Sequence, residues 1–514
     1  MKPTASTTPK CYSRRAALRD AGRFSLLAGG LALLSACGSS VPAAVTSSAS
    51  AAATVTNATT TASSPAAATP ATQASSATTA VSATVTAASS STAAAAAAAS
   101  APSGAKGAVK FFARGDTAIF NVFHQISDAF HKDYPDVAVT IEEVPGDFHQ
   151  KLQVEIAGGN IPDAAFECDC TLGPDVQAGA VEALDSYLAK GKVSSDQFWP
   201  IAFYASTYAN KKWGMPYDGG SVVLYYNKDL FQAAQVPNLD PTTPAKWDDI
   251  LTMAKKLTLD FDGKHSGDAG FNPAKIKQYG LDPSRGYWQV YVWAFGGEVI
   301  TKDGQAPLDS AEAADGLQFL ADLGAKHNVS PAPQFTQSSP ISFNTGNVAM
   351  VYDGVWSSVR YRQNKFAWDV APFPQQKAQV STGWYSPLSL MAGAKNKDAA
   401  WEWIYYCTSE PGQKIVSGLG QDVPTIQALA NSNAFLNPSV PPQHKQVFLD
   451  QMGANLLRVP GDQYGSYFGG QVTKFREAFN KAYDPVWRGQ TTASTAAKSV
   501  RPILESILKE AKFP

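Results

Sequence analysis

The sequence predicts an α/β protein, with strands and helices alternating along most of the chain. Three observations lead there. Residues 38–105 are almost wholly Ala, Ser, Thr, Pro and Val without a charge, and the texture changes at once at Lys106. From there apolar residues recur with periods of two and of 3.6 in turn, the marks of strand and helix. The folded part, about 410 residues, is too long for one ordinary domain and comfortable for two.

Residues 108–113 are apolar and strand-like. Ile119, Phe120, Phe123, Ile126, Ala129 and Phe130 follow at helical spacing over 117–132, and Pro135 stops that helix. A second strand is expected at 137–141, a second amphipathic helix at 148–157 ended by Gly158-Gly159, and a third strand from Ala164-Ala165-Phe166. Strand, helix, strand, helix, strand signals a parallel sheet covered by helices, with right-handed crossovers. The rest alternates similarly, with helices expected at 246–257, 311–326, 398–406, 411–417 and 495–512. Pro502 is expected to kink or split the last.

The first residues are an export signal. Lys2, Lys10, Arg14, Arg15, Arg19 and Arg23 precede an apolar run, 24–36, too short to span a bilayer at about 20 residues per helix. Ser13-Arg14-Arg15-Ala16-Ala17-Leu18 resembles the twin-arginine motif, with Ala17 where an aromatic is usual, so that route and Sec both stay open. Leu34-Ser35-Ala36-Cys37-Gly38 resembles a bacterial lipobox. It implies lipid attachment at Cys37, the two acyl chains needed for stable anchoring, and residence on the outer face of the cytoplasmic membrane. The segment 37–105, without aromatics to bury, reads as a disordered tether; as a coil its 68 residues from Gly38 would span roughly 45 Å. Cys168, Cys170 and Cys407 then remain, an odd number, read as free thiols rather than a disulfide framework.

The net charge of −1 hides a split: beyond residue 36, 36 basic face 42 acidic residues. A mildly acidic chain without a basic stripe argues against nucleic acid, which needs clustered Lys and Arg. No metal or cofactor is expected. His124 and His131 stand two turns apart, too far to share an ion unaided, and Cys168 and Cys170 lack a second pair. Asp260-Phe261-Asp262-Gly263 has the start of a calcium loop, but Lys264 replaces an acid, leaving a solvated loop. There is no His-Glu-x-x-His, Gly-x-Ser-x-Gly or phosphate-cradling loop.

A series of short motifs then falls in order. They are Ala129-Phe130-His131-Lys132-Asp133-Tyr134-Pro135-Asp136-Val137, Phe148-His149-Gln150-Lys151-Leu152, Ala157-Gly158-Gly159-Asn160-Ile161-Pro162-Asp163 and Gly179-Ala180-Val181-Glu182-Ala183-Leu184-Asp185. Trp213-Gly214-Met215-Pro216-Tyr217, Leu224-Tyr225-Tyr226-Asn227-Lys228-Asp229-Leu230-Phe231, Trp247-Asp248-Asp249-Ile250 and Ala294-Phe295-Gly296-Gly297 follow. Phe343-Asn344-Thr345-Gly346-Asn347-Val348-Ala349-Met350 and Asp353-Gly354-Val355-Trp356 close the series. Together they resemble the extracellular solute-binding proteins of ABC importers, in the group of maltose and glycerol-phosphate binders, over essentially all of 106–514. The resemblance implies a two-lobed periplasmic-binding-protein-like α/β fold, each lobe a sheet flanked by helices, with the ligand cleft between lobes. It implies an N-terminal lobe of 106–217 plus 375–430, a C-terminal lobe of 218–374 plus 431–514, and crossings near Gly219, Phe373 and Pro424. It also implies a monomer, a permease partner and no enzymatic activity.

A sugar site needs flat rings for stacking and carboxylates or amides for several hydrogen bonds. Rings placed by the resemblance at the cleft are Tyr287 and Trp288, Trp356, and Trp384 and Tyr385 beside Gly383, whereas Trp247, Trp401 and Trp403 read as packing. Arg114 and Asp116 stand where the first strand gives way to the first helix, Glu167 and Asp169 follow the third strand, and Tyr217 and Asp218 mark the first crossing. For Asp116 a helix-cap role has equal standing. Three readings follow: a binder of mono- or oligosaccharide; the same fold holding glycerol phosphate or another anion through Arg114, Arg360 and Arg362; and a surface carbohydrate hydrolase with two carboxylates across the bond.

Overall fold

The computed structural model describes residues 104–511, apart from 191–192, 302, 332, 334–339, 454–456 and 459–470, and apart from the side chains of Cys170, Leu457 and Arg458. All belong to the compact unit Ala93–Pro514. The export signal, Cys37 and all but the last two residues of the tether lie outside the described residues.

The chain opens with β1 (Gly107–Arg114), α1 (Thr117–Asp133), β2 (Val137–Val144), α2 (Phe148–Ala157), β3 (Ala164–Phe166) and α3 (Asp169–Gln177). α1 begins where the Asp116 carboxylate accepts the N–H groups of Ala118 and Ile119, and it buries Phe120, Phe123, Ile126 and Phe130 against the sheet. Further on come β4 (Met215–Asn227), α4 (Trp247–Leu257), α5 (Trp288–Ala294), α6 (Ala311–Ala325), β5 (Met350–Gly354), β6 (Trp368–Ala371), β7 (Ser381–Leu390), α7 (Lys397–Thr408) and α8 (Glu410–Leu419). Two long helices close it, α9 (Val472–Trp487) and α10 (Ala493–Glu510).

The main sheet runs β6-β4-β7-β3-β1-β2, with β5 also on β4. β1 is parallel to both neighbours, as the sequence predicts. The parallel expectation fails beyond them: β7 is antiparallel to β3 and to β4, and β4 to β5 and β6. The reason is the path of the chain. It leaves the first half along β4 and returns along β7, so the two must run in opposite senses.

One core gathers Phe111, Phe123, Phe130, Phe166, Leu388 and Trp403 around the start of β4. A second gathers Trp247, Tyr291, Leu317, Tyr352, Phe373 and Leu504 around its far end. A third, with Tyr225, Val351, Tyr361, Trp368 and Phe448, packs on the other face of that far end. All 13 residues of β4 are buried, so one strand serves both halves and joins their sheets.

Two local expectations are corrected. α10 runs unbroken through Pro502. Pro502 and Lys498, whose carbonyl loses its partner, are both exposed, so water can satisfy it. Cys168 is disulfide-bonded rather than free, whereas Cys407 is a buried free thiol.

Candidate functional site

The site lies where β1, β3, β4 and β7 bring their ends to the passage between the halves. Arg114 closes β1. Its Nη2 donates to the Glu167 carbonyl at 3.1 Å and to Ser386 Oγ at 2.5 Å, and its guanidinium lies 4.3 Å over the Phe166 ring. Ser386 is paired in register with Asp218, next to an irregularity at Ser386/Pro387. Asp218 is buried in β4, and its carboxyl hydrogen-bonds to that of Asp422, also buried. Burial raises both, Asp218 to about 6, against the pull of Arg114. Glu167, wholly buried, is pushed up to about 8 by burial and by Asp175. Thr171 Oγ1 donates to it at 3.0 Å. Asp169, at the start of α3, accepts the Tyr385 N–H at 3.5 Å.

Farther along the same β4/β7 ladder, Trp384 joins two other half-buried rings, Tyr287 and Trp356. Tyr287 and Trp384 have centroids 5.1 Å apart at 43°, and Trp356 meets Trp384 edge-on at 6.1 Å. Asp353, 1% exposed, fixes this wall from behind: it accepts from Tyr361 Oη at 2.6 Å and from Tyr287 Oη at 3.3 Å. Arg360 joins the two sides. Its guanidinium lies 4.0 Å from Asp353 and 3.7 Å from Asp116, the cap of α1.

The structure therefore brings Arg114, Glu167, Asp169 and Asp218 to one side, and Tyr287, Trp356 and Trp384 to the other, with Asp116 reaching the second group through Arg360. It buries Tyr217, Trp288 and Tyr385, as it also buries Glu167, Asp169 and Asp218. Tyr217 is 0% exposed and stacks on Phe123 at 4.9 Å, within the first core. Trp288 stacks on Phe479 at 3.8 Å. Tyr385 fits under Gly219, where a Cβ would come within 2.3 Å of its ring. Gly383 is a ladder residue opposite Ser221. Trp247, Trp401 and Trp403 are buried, as packing residues should be.

Sequence reasoning missed Asp353 and Asp422. Asp353 reads as part of an Asp-Gly turn but ends β5, and its two tyrosine donors come from elsewhere in the chain. Among the described residues no group of His, Cys, Asp and Glu is arranged to hold a metal ion. Asp260 of the calcium-like loop is itself buried, and backbone N–H groups of Asp262, Lys264 and Asn272 occupy its carboxylate.

The family model described as bacterial extracellular solute-binding protein matches residues 115–414, more than half of the 514. The chain belongs to this family. Its members bind solutes and are not enzymes. A maltotriose-binding protein of Pyrococcus abyssi is 25% identical over 331 residues, 62% of this chain and 66% of that relative. The match thus spans just under two thirds of the relative's length. Among solved structures, an ABC substrate-binding protein of Listeria monocytogenes in complex with cycloalternan is similar with TM-score 0.69 at 21% identity, over 79% of this chain and 99% of that one. A solute-binding protein of Thermotoga lettingae bound with α-D-tagatose gives TM-score 0.66 at 23% identity, covering 78% and 99%. These likenesses establish the two-lobed solute-binding fold.

Proposed function

We propose that this solute-binding protein captures a neutral oligosaccharide between its two halves and delivers it to an ABC importer. The observation that carries the reading is the tilted set of half-buried rings, Tyr287, Trp384 and Trp356. Rings stack on the apolar faces of a sugar. Maltotriose and cycloalternan in the names of similar proteins support an oligomeric ligand.

The disposition of the arginines weighs against an anionic solute. Arg114 already serves the Glu167 carbonyl and Ser386. Arg360 is shared between Asp116 and Asp353. Arg362 donates to the carbonyls of Leu419, Gly420 and Pro441. A phosphate would have to displace protein acceptors from each.

The lobe boundaries, 106–217 plus 375–430 and 218–374 plus 431–514, are supported by the separation of the cores on either side of the middle of β4. Ligand touching both lobes favours closure by its differential affinity for the closed form. Cys37 carries the lipid that holds the protein, as a monomer, at the outer face of the membrane beside its permease. The test is a titration of tryptophan emission with maltotriose, smaller sugars and glycerol 3-phosphate. A saturable change with a neutral sugar is expected; a response to glycerol 3-phosphate alone overturns the reading. Release of the Cys37→Ala protein from membranes checks the anchor.

A further inference from the structure

Away from the rings, the last turn of α4 and the segment that follows it, residues 255–278, form a small surface module. Leu259–Asp260 pairs with Ile276–Gln278, and the chain between reverses at Asp260-Phe261-Asp262-Gly263. The reversal is firmly built. The Asp260 carboxylate is wholly buried and accepts the N–H groups of Lys264 at 2.8 Å and of Asp262 and Asn272 at 2.9 Å each. The Phe261 N–H donates to the Lys275 carbonyl at 2.9 Å. Yet Phe261 is 70% exposed, more than Val154 at 65% or Tyr204 and Ile503 at 53% each. A pinned backbone cannot let the ring fold back, so the apolar surface stays in water at a standing cost.

The surroundings are basic. Lys255, Lys256, Lys264, Lys275 and Lys277 all belong to the module; all but the half-buried Lys255 are exposed, and none forms an ion pair among the described residues. Lys106, Lys110, Lys151 and Lys397 elsewhere do pair with acids. The acids within the module are Asp260, Asp262 and Asp268. Asp260 is occupied as described, and Asp268 accepts the His265 N–H at 2.8 Å. With five lysines against three aspartates, residues 255–278 carry a net +2 on a chain with more acidic than basic residues beyond residue 36. An exposed ring on a segment that carries exposed, unpaired lysines is complementary to a negatively charged lipid surface: the ring enters the headgroup boundary while the lysines meet phosphates, outweighing the exposed Asp262 beside the ring.

We propose that the Phe261 loop, with its five lysines, is a docking surface for an anionic bilayer, separate from the cleft and independent of what the cleft binds. It would fix which face of the protein meets the membrane.

The test uses the chain from residue 38 onward, which retains the whole compact unit Ala93–Pro514 and lacks both the basic export signal and Cys37. Its sedimentation is measured with vesicles of equal phosphatidylglycerol and phosphatidylcholine, and with vesicles of phosphatidylcholine alone. Binding to the anionic vesicles only is expected, weakened by added salt. Phe261→Ser should reduce it about tenfold, the scale of one partly inserted ring. Lys264→Gln with Lys275→Gln should reduce it further without changing the melting temperature. Equal binding to both vesicles, no binding to either, or full binding by Phe261→Ser each overturns the proposal. If a soluble polyglycerol phosphate competes equally with wild type and Phe261→Ser, the patch reads a polymer instead, which also overturns it.

Discussion

Around the strand crossing, the side built on the first core offers charge and hydrogen bonds, whereas the facing side offers rings. Arg114, Glu167 and Asp169 sit where β1 ends and between β3 and α3, and Asp218 lies near the start of the long β4. Tyr287, Trp356 and Trp384 pack against the large second core, and Tyr287 is steadied by the buried carboxylate of Asp353. The same aromatic types fill that core a few residues away, around Trp247, where nothing can reach them. What sets the candidate rings apart from the packing rings is therefore partial exposure, not residue type.

That contrast can be broken most forcefully at its buried end. Trp247, 0% exposed against Tyr291, Tyr352 and Phe373, should cost about 3–5 kcal/mol of stability as Trp247→Ala, read by denaturant unfolding. Trp384→Ala should do the reverse, losing about 1.5–3 kcal/mol of sugar affinity in a calorimetric titration while stability changes less. If both variants lose mainly stability, Trp384 belongs to the core.

The charged side answers to pH. Burial raises Glu167 to about 8, above an unfolded value of about 4.3. The folded state thus holds a proton that the unfolded state has released. Its stabilisation is complete below the unfolded value and is lost as pH rises through about 8. The melting temperature of the unliganded protein should fall over that window, and Glu167→Gln should flatten the fall. The smallest effect is expected at the bridge between the sides. Arg360 and Asp116 are 35% and 49% exposed, so Arg360→Gln should change stability by at most about 1 kcal/mol, and less in high salt.

Much of the architecture was legible in the sequence where one face is buried and the other wet. The Phe148–Ala157 helix and the Ala164–Phe166 strand stand where periodicity put them. Periodicity could not reveal β4, because every position is buried and no alternation exists to be read. Nor could it separate Tyr287 from Trp288, neighbours in sequence that a helical turn sends to a wall and to a core. Asp353 was hidden for another reason: its meaning comes from Tyr287 and Tyr361, whose hydroxyls meet it only in three dimensions. The disulfide at Cys168 is equally invisible to counting, since an odd total does not say which thiol is left over.

β4 has one further consequence. A strand whose two ends are embedded in separate cores ties their fates, since neither core can come apart without fraying the ladder that holds the other. Heating should therefore give one calorimetric peak instead of two, with a ratio of calorimetric to van't Hoff enthalpy near one.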